Sequence, residues 1–256
     1  MLLPFEPYSS TNPVGQDPPC HTHLQPALTC HVASPVRRWG RELRVAEMNT
    51  ISNNGAPGVS NSLAAALWTL DGAFEVAATG AVGINLHWGD GLALYAALLR
   101  QGSGASIVKP PYYAYLMFQM ALGSGAAFMQ TPLFHPTPGA TLKVWPLKDT
   151  ATGAARIVII NKGESGGGVV LRFIESAGYG DGKLLRLVGR SLDDQWGVKL
   201  GNMAYTLGGK PFGVPEGERV SKSTTLSGAF GMEVYPVSYT ISMPPGSAAL
   251  LILNKE

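Results

Sequence analysis

The sequence predicts an α/β unit followed by an antiparallel β-sandwich, and three observations carry that prediction. Residues 42–122 alternate short apolar runs with longer stretches of helical periodicity. Beyond about residue 131 the chain offers short β-type runs with no helix between them. The 32 glycines and 19 prolines among 256 residues supply the many turns that a β-rich region requires. The first pattern is the rhythm of parallel βα units. Two such units are legible, whereas a closed barrel needs eight.

The elements follow in order. Residues 1–36 are dense in Pro, Thr, Ser and His without sustained periodicity, so a loop-rich lead-in is expected. Glu42-Leu43-Arg44-Val45-Ala46-Glu47 reads as a short strand ending in a carboxylate, and a loop rich in Asn and Gly follows from Asn49 to Gly58. Ser60 is placed to N-cap a helix in which Leu63, Leu67, Leu70 and Phe74 recur at three- and four-residue spacing, one buried stripe. Gly80 ends that helix, and Ala81 to His87 forms a second apolar strand. A Gly-rich stretch from Gly89 to Ser106, expected to be mobile, leads to Pro110-Pro111, which suit a helix start, and the helix runs to Leu122.

Six β-type runs come next: Leu142–Leu147, Arg156–Asn161, Val169–Ile174, Leu184–Val188, Val237–Met243 and Ala248–Leu253. Turn clusters such as Asn161-Lys162-Gly163 and Gly166-Gly167-Gly168 separate them, as in an antiparallel sandwich. A domain boundary is expected near residues 125–132.

Composition narrows the function classes. Hydrophobic residues make up 45% and charged residues 14%, a globular balance. A net charge of +2 with no Lys/Arg run argues against nucleic acid as a partner. The apolar stretches Leu63–Ala78 and Tyr112–Leu122 are interrupted by polar residues and fall short of the roughly 18 needed for a membrane span. The opening Met1-Leu2-Leu3-Pro4 lacks the basic start and apolar core of a signal peptide. Two cysteines, Cys20 and Cys30, make no disulfide framework, and whether they pair is left open.

Glu47 is the first chemical candidate. A carboxylate at the C-terminal end of a parallel strand faces the side where α/β barrels build active sites, and His87 and Asn49 are placed similarly. Retaining glycoside hydrolysis needs two carboxyl groups about 5–5.5 Å apart. Cys20, His21, His23, Cys30 and His31 match no zinc-ligand spacing, so no metal is expected. Asp71 and Glu75 fall within the first helix and are expected at the surface. Tyr112, Tyr113, Tyr115 and Phe118 read mostly as core at helical spacing, and Trp145, Trp196 and Tyr235 as packing aromatics of the sandwich.

The segment Leu43-Arg44-Val45-Ala46-Glu47-Met48-Asn49-Thr50-Ile51-Ser52, with Gly55-Ala56-Pro57-Gly58-Val59-Ser60, resembles the nucleophile region of glycoside hydrolase family 79, the β-glucuronidases and heparanases. The likeness continues through Leu63 to Asp71, Gly83-Ile84-Asn85-Leu86-His87, Pro111-Tyr112-Tyr113, Ser191-Leu192-Asp193 and Gly197-Val198-Lys199-Leu200-Gly201. It implies a partial (β/α)8 barrel, its last two βα units, followed by a β-sandwich. The division would be 1–40 loop-rich, 41–128 barrel and 129–256 sandwich.

By this resemblance Glu47 is the nucleophile, Tyr95 contacts a sugar carboxylate, His87 lines the rim, and Asn49, Asn54 and Gly55 approach the same sugar. No cofactor is implied, and relatives are extracellular or lysosomal. The family shows His-Gly-Gly where this chain has His87-Trp88-Gly89-Asp90. The family's acid/base is a Glu preceded by Asn, and no Asn-Glu dipeptide occurs here. The expectation is a glucuronidase-type fragment, inactive alone, acting on a carbohydrate, with a complementary barrel half as a possible partner. The rival expectation is a non-catalytic carbohydrate-binding or scaffold protein that retains the sandwich.

Overall fold

A computed structural model of the chain describes residues 2–4, 36, 38–87, 93–100, 106–129, 133–136, 142–174, 178–224, 227–229, 232–234 and 236–256. Cys20, Cys30, His21, His23, His31, Tyr235 and the segment Trp88-Gly89-Asp90 lie outside the described residues.

The first part comprises strands β1 (Leu2–Pro4) and β2 (Arg44–Met48), helix α1 (Leu63–Ala78), strands β3 (Gly83–Leu86), β4 (Leu98–Arg100) and β5 (Ser106–Val108), and helix α2 (Pro110–Leu122). Strands β1, β3 and β2 form a sheet in that order, β2 parallel to β3 and β1 antiparallel to it. Within the lead-in expected to be loop-rich, residues 2–4 form a strand. Strands β4 and β5 form a hairpin. The stretch expected to be mobile before α2 holds β4 and the buried Ala93, Tyr95, Ala96 and Ala97, anchored where Leu94 N–H donates to the Asn54 carbonyl at 2.8 Å.

Helix α1 carries its predicted stripe inward, with Leu63, Leu67, Leu70 and Phe74 all buried. Ala65, Ala66, Ala73 and Val76 are buried as well, so the helix is enclosed on more than one side. The expected cap is displaced by two residues: Ser62 occupies the N-cap position without a side-chain cap. Ser60 Oγ is committed elsewhere, accepting from Ala56 N–H at 3.0 Å and Thr50 Oγ1–H at 2.8 Å. The orphan N–H groups of Leu63 and Ala64 donate instead to the carbonyls of Asp194 and Leu192, at 2.9 and 2.8 Å.

Among its described residues the second part has strands and no helix. Strands β6 (Ala126–Phe128), β7 (Leu133–Pro136), β8 (Leu142–Asp149), β9 (Ala155–Asn161), β10 (Gly167–Ile174) and β11 (Tyr179–Val188) lead to the short β12 (Lys199–Leu200), β13 (Ala204–Tyr205) and β14 (Pro211–Phe212). Then come β15 (Glu218–Val220), β16 (Ser223–Thr224), β17 (Ser227–Ala229), β18 (Met232–Val234), β19 (Pro236–Met243) and β20 (Ser247–Lys255). Seven of these form one sheet in the order β12-β11-β20-β9-β8-β6, with β15 also on β11; four form another, β16-β19-β10-β7. Each of the six predicted runs falls inside one of these strands.

The seven-stranded sheet is covered on both faces. Ile157 and Ile159 of β9 and Ala249 and Leu251 of β20 pack with Val169, Leu171, Tyr239 and Ile241 of the four-stranded sheet. Their alternates Val158, Ile160, Ala248 and Leu250 pack with Leu67, Phe74, Met117 and Phe118 of the helices. The period-two alternation of a strand sends successive residues into two different cores. The order is therefore helices, large sheet, small sheet.

Buried carboxylates lock these layers together. Asp71, expected at the surface, is buried: its carboxylate accepts from Trp145 Nε1 at 2.9 Å and Lys162 Nζ at 2.7 Å, and pairs with Lys143 at 3.1 Å. Glu75, half-buried, also pairs with Lys143. The correction has a simple cause: the β8–β9 hairpin covers that side of α1 and supplies the cations. Asp149 accepts from Ser124 Oγ and from the N–H groups of Ala151 and Thr152, and pairs with Arg156 at 3.1 Å. Burial opposes the charge of Asp149, but hydrogen bonds from Thr152 and Ser124 outweigh it and hold the carboxyl well below the usual range.

Candidate active site

The site begins at the parallel pair. Between the pairs Val45–Ile84 and Met48–Leu86, two residues of β2, Ala46 and Glu47, stand opposite one of β3, Asn85. One extra residue is thus accommodated in β2 at Ala46–Glu47, and a bulge of this kind bends a strand and re-aims its side chains. Glu47 stands at this irregularity, its side chain 70% exposed, and His87 directly follows β3. His87 Nδ1 lies 3.2 Å from Glu47 Oε1 and 3.1 Å from the Tyr95 hydroxyl.

One ring nitrogen thus serves two oxygen partners. With a proton on Nδ1, the imidazole donates to the carboxylate. Without it, Nδ1 accepts from the Tyr95 O–H, and the carboxylate loses its donor. The tautomer of the imidazole therefore sets whether Nδ1 orients Glu47 or anchors Tyr95.

Loop geometry completes the cleft. Asn49 braces the two strand ends, its amide donating to the His87 carbonyl while its Oδ1 accepts from Thr50 N–H at 2.9 Å. Asn53, Asn54 and Gly55 all adopt positive φ, at 56°, 67° and 84°. Asn and Gly tolerate this region best, so the Asn53-Asn54-Gly55 run suits the turn. A Cβ on Gly55 would meet Ser60 Cβ at 2.7 Å, so the position demands glycine for space as well.

Glu47, Asn49, Asn54, His87 and Tyr95 line one open cleft of about 700 Å³, joined by Met48, Ile51, Ser52 and Asn53. Gly55 does not line it; it packs behind the loop against Ser60 and Leu94. Glu47 is the one carboxylate among the described residues of the lining. No trio of His, Cys, Asp or Glu suited to a metal ion occurs among the described residues.

Lys109 escaped the sequence reading. It is buried, and its ammonium donates to the carbonyls of Ala93 and Leu94 at 3.1 and 3.5 Å, fixing the backbone that carries Tyr95. Burial pushes its pKa down. Its position just before Pro110-Pro111 gave no periodic signal. Ile51 was missed too, whereas Ser52 and Asn53 belong to the loop from Ser52 to Gly55 that the resemblance brings to the sugar.

Two further sequence readings are settled by geometry. Tyr113, Tyr115 and Phe118 are core, as expected, with Tyr112 partly buried. Trp145 packs as expected, its ring 5.7 Å from Phe74. Trp196 does not: it is 56% exposed, on a loop whose backbone is bonded to Asp194. No described helix is long and apolar enough to cross a membrane.

No protein-family model matches the chain, and no curated protein matches it. Solved structures do. An arabinofuranosidase structure shares 11% identity over 88% of this chain and 46% of its own, with a TM-score of 0.55. The α-L-arabinofuranosidase of Thermotoga maritima, in complex with arabinose, gives 11% over 88% and 45%, TM-score 0.54. The thermostable GH51 α-L-arabinofuranosidase of Thermotoga petrophila RKU-1 gives 11% over 87% and 46%, TM-score 0.53. The chain therefore shares its fold with part of these glycoside hydrolases, and it spans less than half the length of each.

Proposed function

We propose that the chain is the nucleophile-bearing portion of a retaining glycoside hydrolase of β-glucuronidase type, with Glu47 as nucleophile. The observation that carries the proposal is a carboxylate at the end of a parallel strand, exposed in a cleft and within 3.2 Å of His87. The family 79 resemblance around Glu47 and the fold shared with part of the arabinofuranosidases support the same reading.

In this reaction a Glu47 oxygen attacks the anomeric carbon and the glycosidic C–O bond breaks. The departing oxygen takes a proton from an acid, and water then releases the sugar from the glycosyl-enzyme ester. His87 orients the carboxylate through Nδ1–H. Tyr95 and the Asn53–Asn54 turn meet the sugar, the tyrosine hydroxyl toward its carboxylate. The acid/base carboxyl comes from a segment outside these residues, of a longer protein or of a complementary barrel half. The edge of β2 left unpaired among the described residues would receive that segment's strand.

Protonation of the leaving group is worth roughly 10²–10⁴-fold. The present chain should therefore act only where the leaving group needs no proton. Dinitrophenyl β-glucuronide is such a substrate: its phenolate leaves unaided. The expected result is slow release of dinitrophenolate by the chain, abolished in Glu47→Gln, with no turnover of an alkyl β-glucuronide. Equal release by wild type and Glu47→Gln would refute the proposal.

The rival reading, a non-catalytic carbohydrate-binding protein, is favoured by one observation, the exposed indole of Trp196. Binding of glycans that survives Glu47→Gln without any release of dinitrophenolate would select it.

A further inference from the structure

A second groove, of about 560 Å³, lies away from Glu47 and is lined by Gln195, Trp196, Tyr205, Thr206, Leu207 and Ile107 among others. None of its lining residues is charged. Two of its apolar side chains are conspicuously exposed, Trp196 at 56% and Leu207 at 68%.

Both stand on turns held rigid from beneath. Asp194 accepts from the N–H groups of Arg190, Trp196 and Gly197, at 2.9, 3.1 and 2.8 Å, and pairs with Arg190 at 2.9 Å. On the other turn, Thr206 N–H donates to the Lys210 carbonyl at 2.9 Å, and Thr206 Oγ1 accepts from Lys210 N–H at 3.1 Å. Tyr205 is fixed edge-on against Tyr112 and Tyr113, and its N–H donates to the Tyr113 hydroxyl at 3.0 Å. Apolar side chains carried on turns whose backbone is already hydrogen-bonded spare a partner the cost of ordering the loop, which suits a preorganised contact surface.

The groove also connects to the cleft. Gln195 Oε1 accepts from Asn61 Nδ2 at 2.6 Å, and Asn61 Oδ1 accepts from Gly58 N–H at 2.8 Å. Residues 51–61 thus run from the Glu47 cleft to the Trp196 groove as one hydrogen-bonded loop.

We propose that the Trp196 groove is a second glycan-binding site that takes a neutral sugar unit of the same chain whose acidic unit enters the Glu47 cleft. The indole face stacks on the apolar C–H face of the ring, Leu207 covers its edge, and the Gln195 amide and Thr206 hydroxyl meet its hydroxyls. A neutral lining selects against an ionised sugar, since a carboxylate there would be desolvated without a partner. This inference rests on the carbohydrate reading above.

The test is equilibrium binding to the full chain by calorimetry, with two probes: methyl β-glucuronide, and a tetrasaccharide alternating glucuronate with N-acetylglucosamine. Trp196→Ala should weaken the tetrasaccharide about ten-fold, the loss typical of truncating an aromatic anchor, and leave methyl β-glucuronide unchanged. Trp196→Phe should restore most of the affinity. Because the indole is more than half exposed, both variants should keep the wild-type unfolding midpoint. Tetrasaccharide affinity equal in wild type and Trp196→Ala would overturn the second site while leaving the Glu47 proposal intact if methyl β-glucuronide still binds. Trp196-dependent tetrasaccharide binding without any binding of methyl β-glucuronide would uphold the groove and overturn the glucuronidase reading.

Discussion

Strands β9 and β20 run between two layers of side chains, whereas β2, which carries Glu47, is exposed or half-buried along its whole length. The large sheet buries both faces, one under the helices and one under the smaller sheet. Among the described residues the β1-β3-β2 sheet ends at β2, which pairs there with β3 alone. Strands of parallel sheets are normally buried on both faces, so β2 departs from its class. Stability and chemistry are thus segregated: the sandwich and helices hold the fold, and the candidate site is displayed at its margin.

The separation can be broken from its strongest side first. Phe74 is fully buried where α1, α2 and Trp145 meet, with its ring 4.7 Å from Phe118. Phe74→Ala should cost about 3–5 kcal/mol, read from urea unfolding. A loss under 1 kcal/mol would mean that the helices and the large sheet do not share one core.

Next come the buried carboxylates. Asp194, with a fully buried side chain, ties the 190–197 loop together, and that loop caps α1. The Arg190 hydrogen bond, working against burial, holds Asp194 well below the usual carboxylate range, as hydrogen bonds do for Asp149. For both groups the folded pKa is depressed, so the unfolded chain binds protons first as acidity rises. Their stabilisation is complete above the ordinary carboxylate pKa and is lost as pH falls below about 4 toward the lowered values. Asp149→Asn should cost about 2–3 kcal/mol at neutral pH and flatten the acid limb of a stability–pH curve. An unchanged acid limb would contradict this assignment.

At the margin the effects shrink. Gly55→Ala forces an L side chain into positive φ and against Ser60, at an expected cost of about 1–3 kcal/mol. Its larger consequence should be on glucuronide binding, because the same turn presents Asn54 to the cleft. Val45→Ala on β2 should cost less than about 1 kcal/mol, as for other partly exposed sites. If Val45→Ala proved as damaging as Phe74→Ala, the separation of stability from the site would fail.

Legibility in the sequence followed the same division. The sandwich strands were readable because Val169, Leu171 and Phe173, or Val237, Tyr239, Ile241 and Met243, alternate cleanly on a one-faced sheet. The unbroken run Ile157 to Ile160 announced a strand but not its two-sided burial, since periodicity is silent when both faces are apolar. Asp71 was misplaced because nothing local predicts Lys143 and Lys162 approaching from far along the chain. Leu2–Pro4 and the β4–β5 hairpin were invisible because three-residue strands carry too few alternations to register.

The site was half legible. The family resemblance singled out Glu47, His87, Tyr95, Asn49 and Asn54, and these line one cleft. The bulge in β2, the shared Nδ1 of His87 and the buried Lys109 arise from tertiary pairing, and no window of sequence encodes them.

The role of Glu47 has a direct test that needs no general acid. A glucuronyl fluoride with fluorine replacing the hydroxyl beside the anomeric carbon expels fluoride without protonation and leaves a slowly hydrolysed ester on the attacking carboxylate. Intact-mass and peptide mass spectrometry of the treated chain should find one added fluoroglucuronyl group, on Glu47, and none in Glu47→Gln. Labelling at another carboxylate, or equal labelling of the two proteins, would contradict the account.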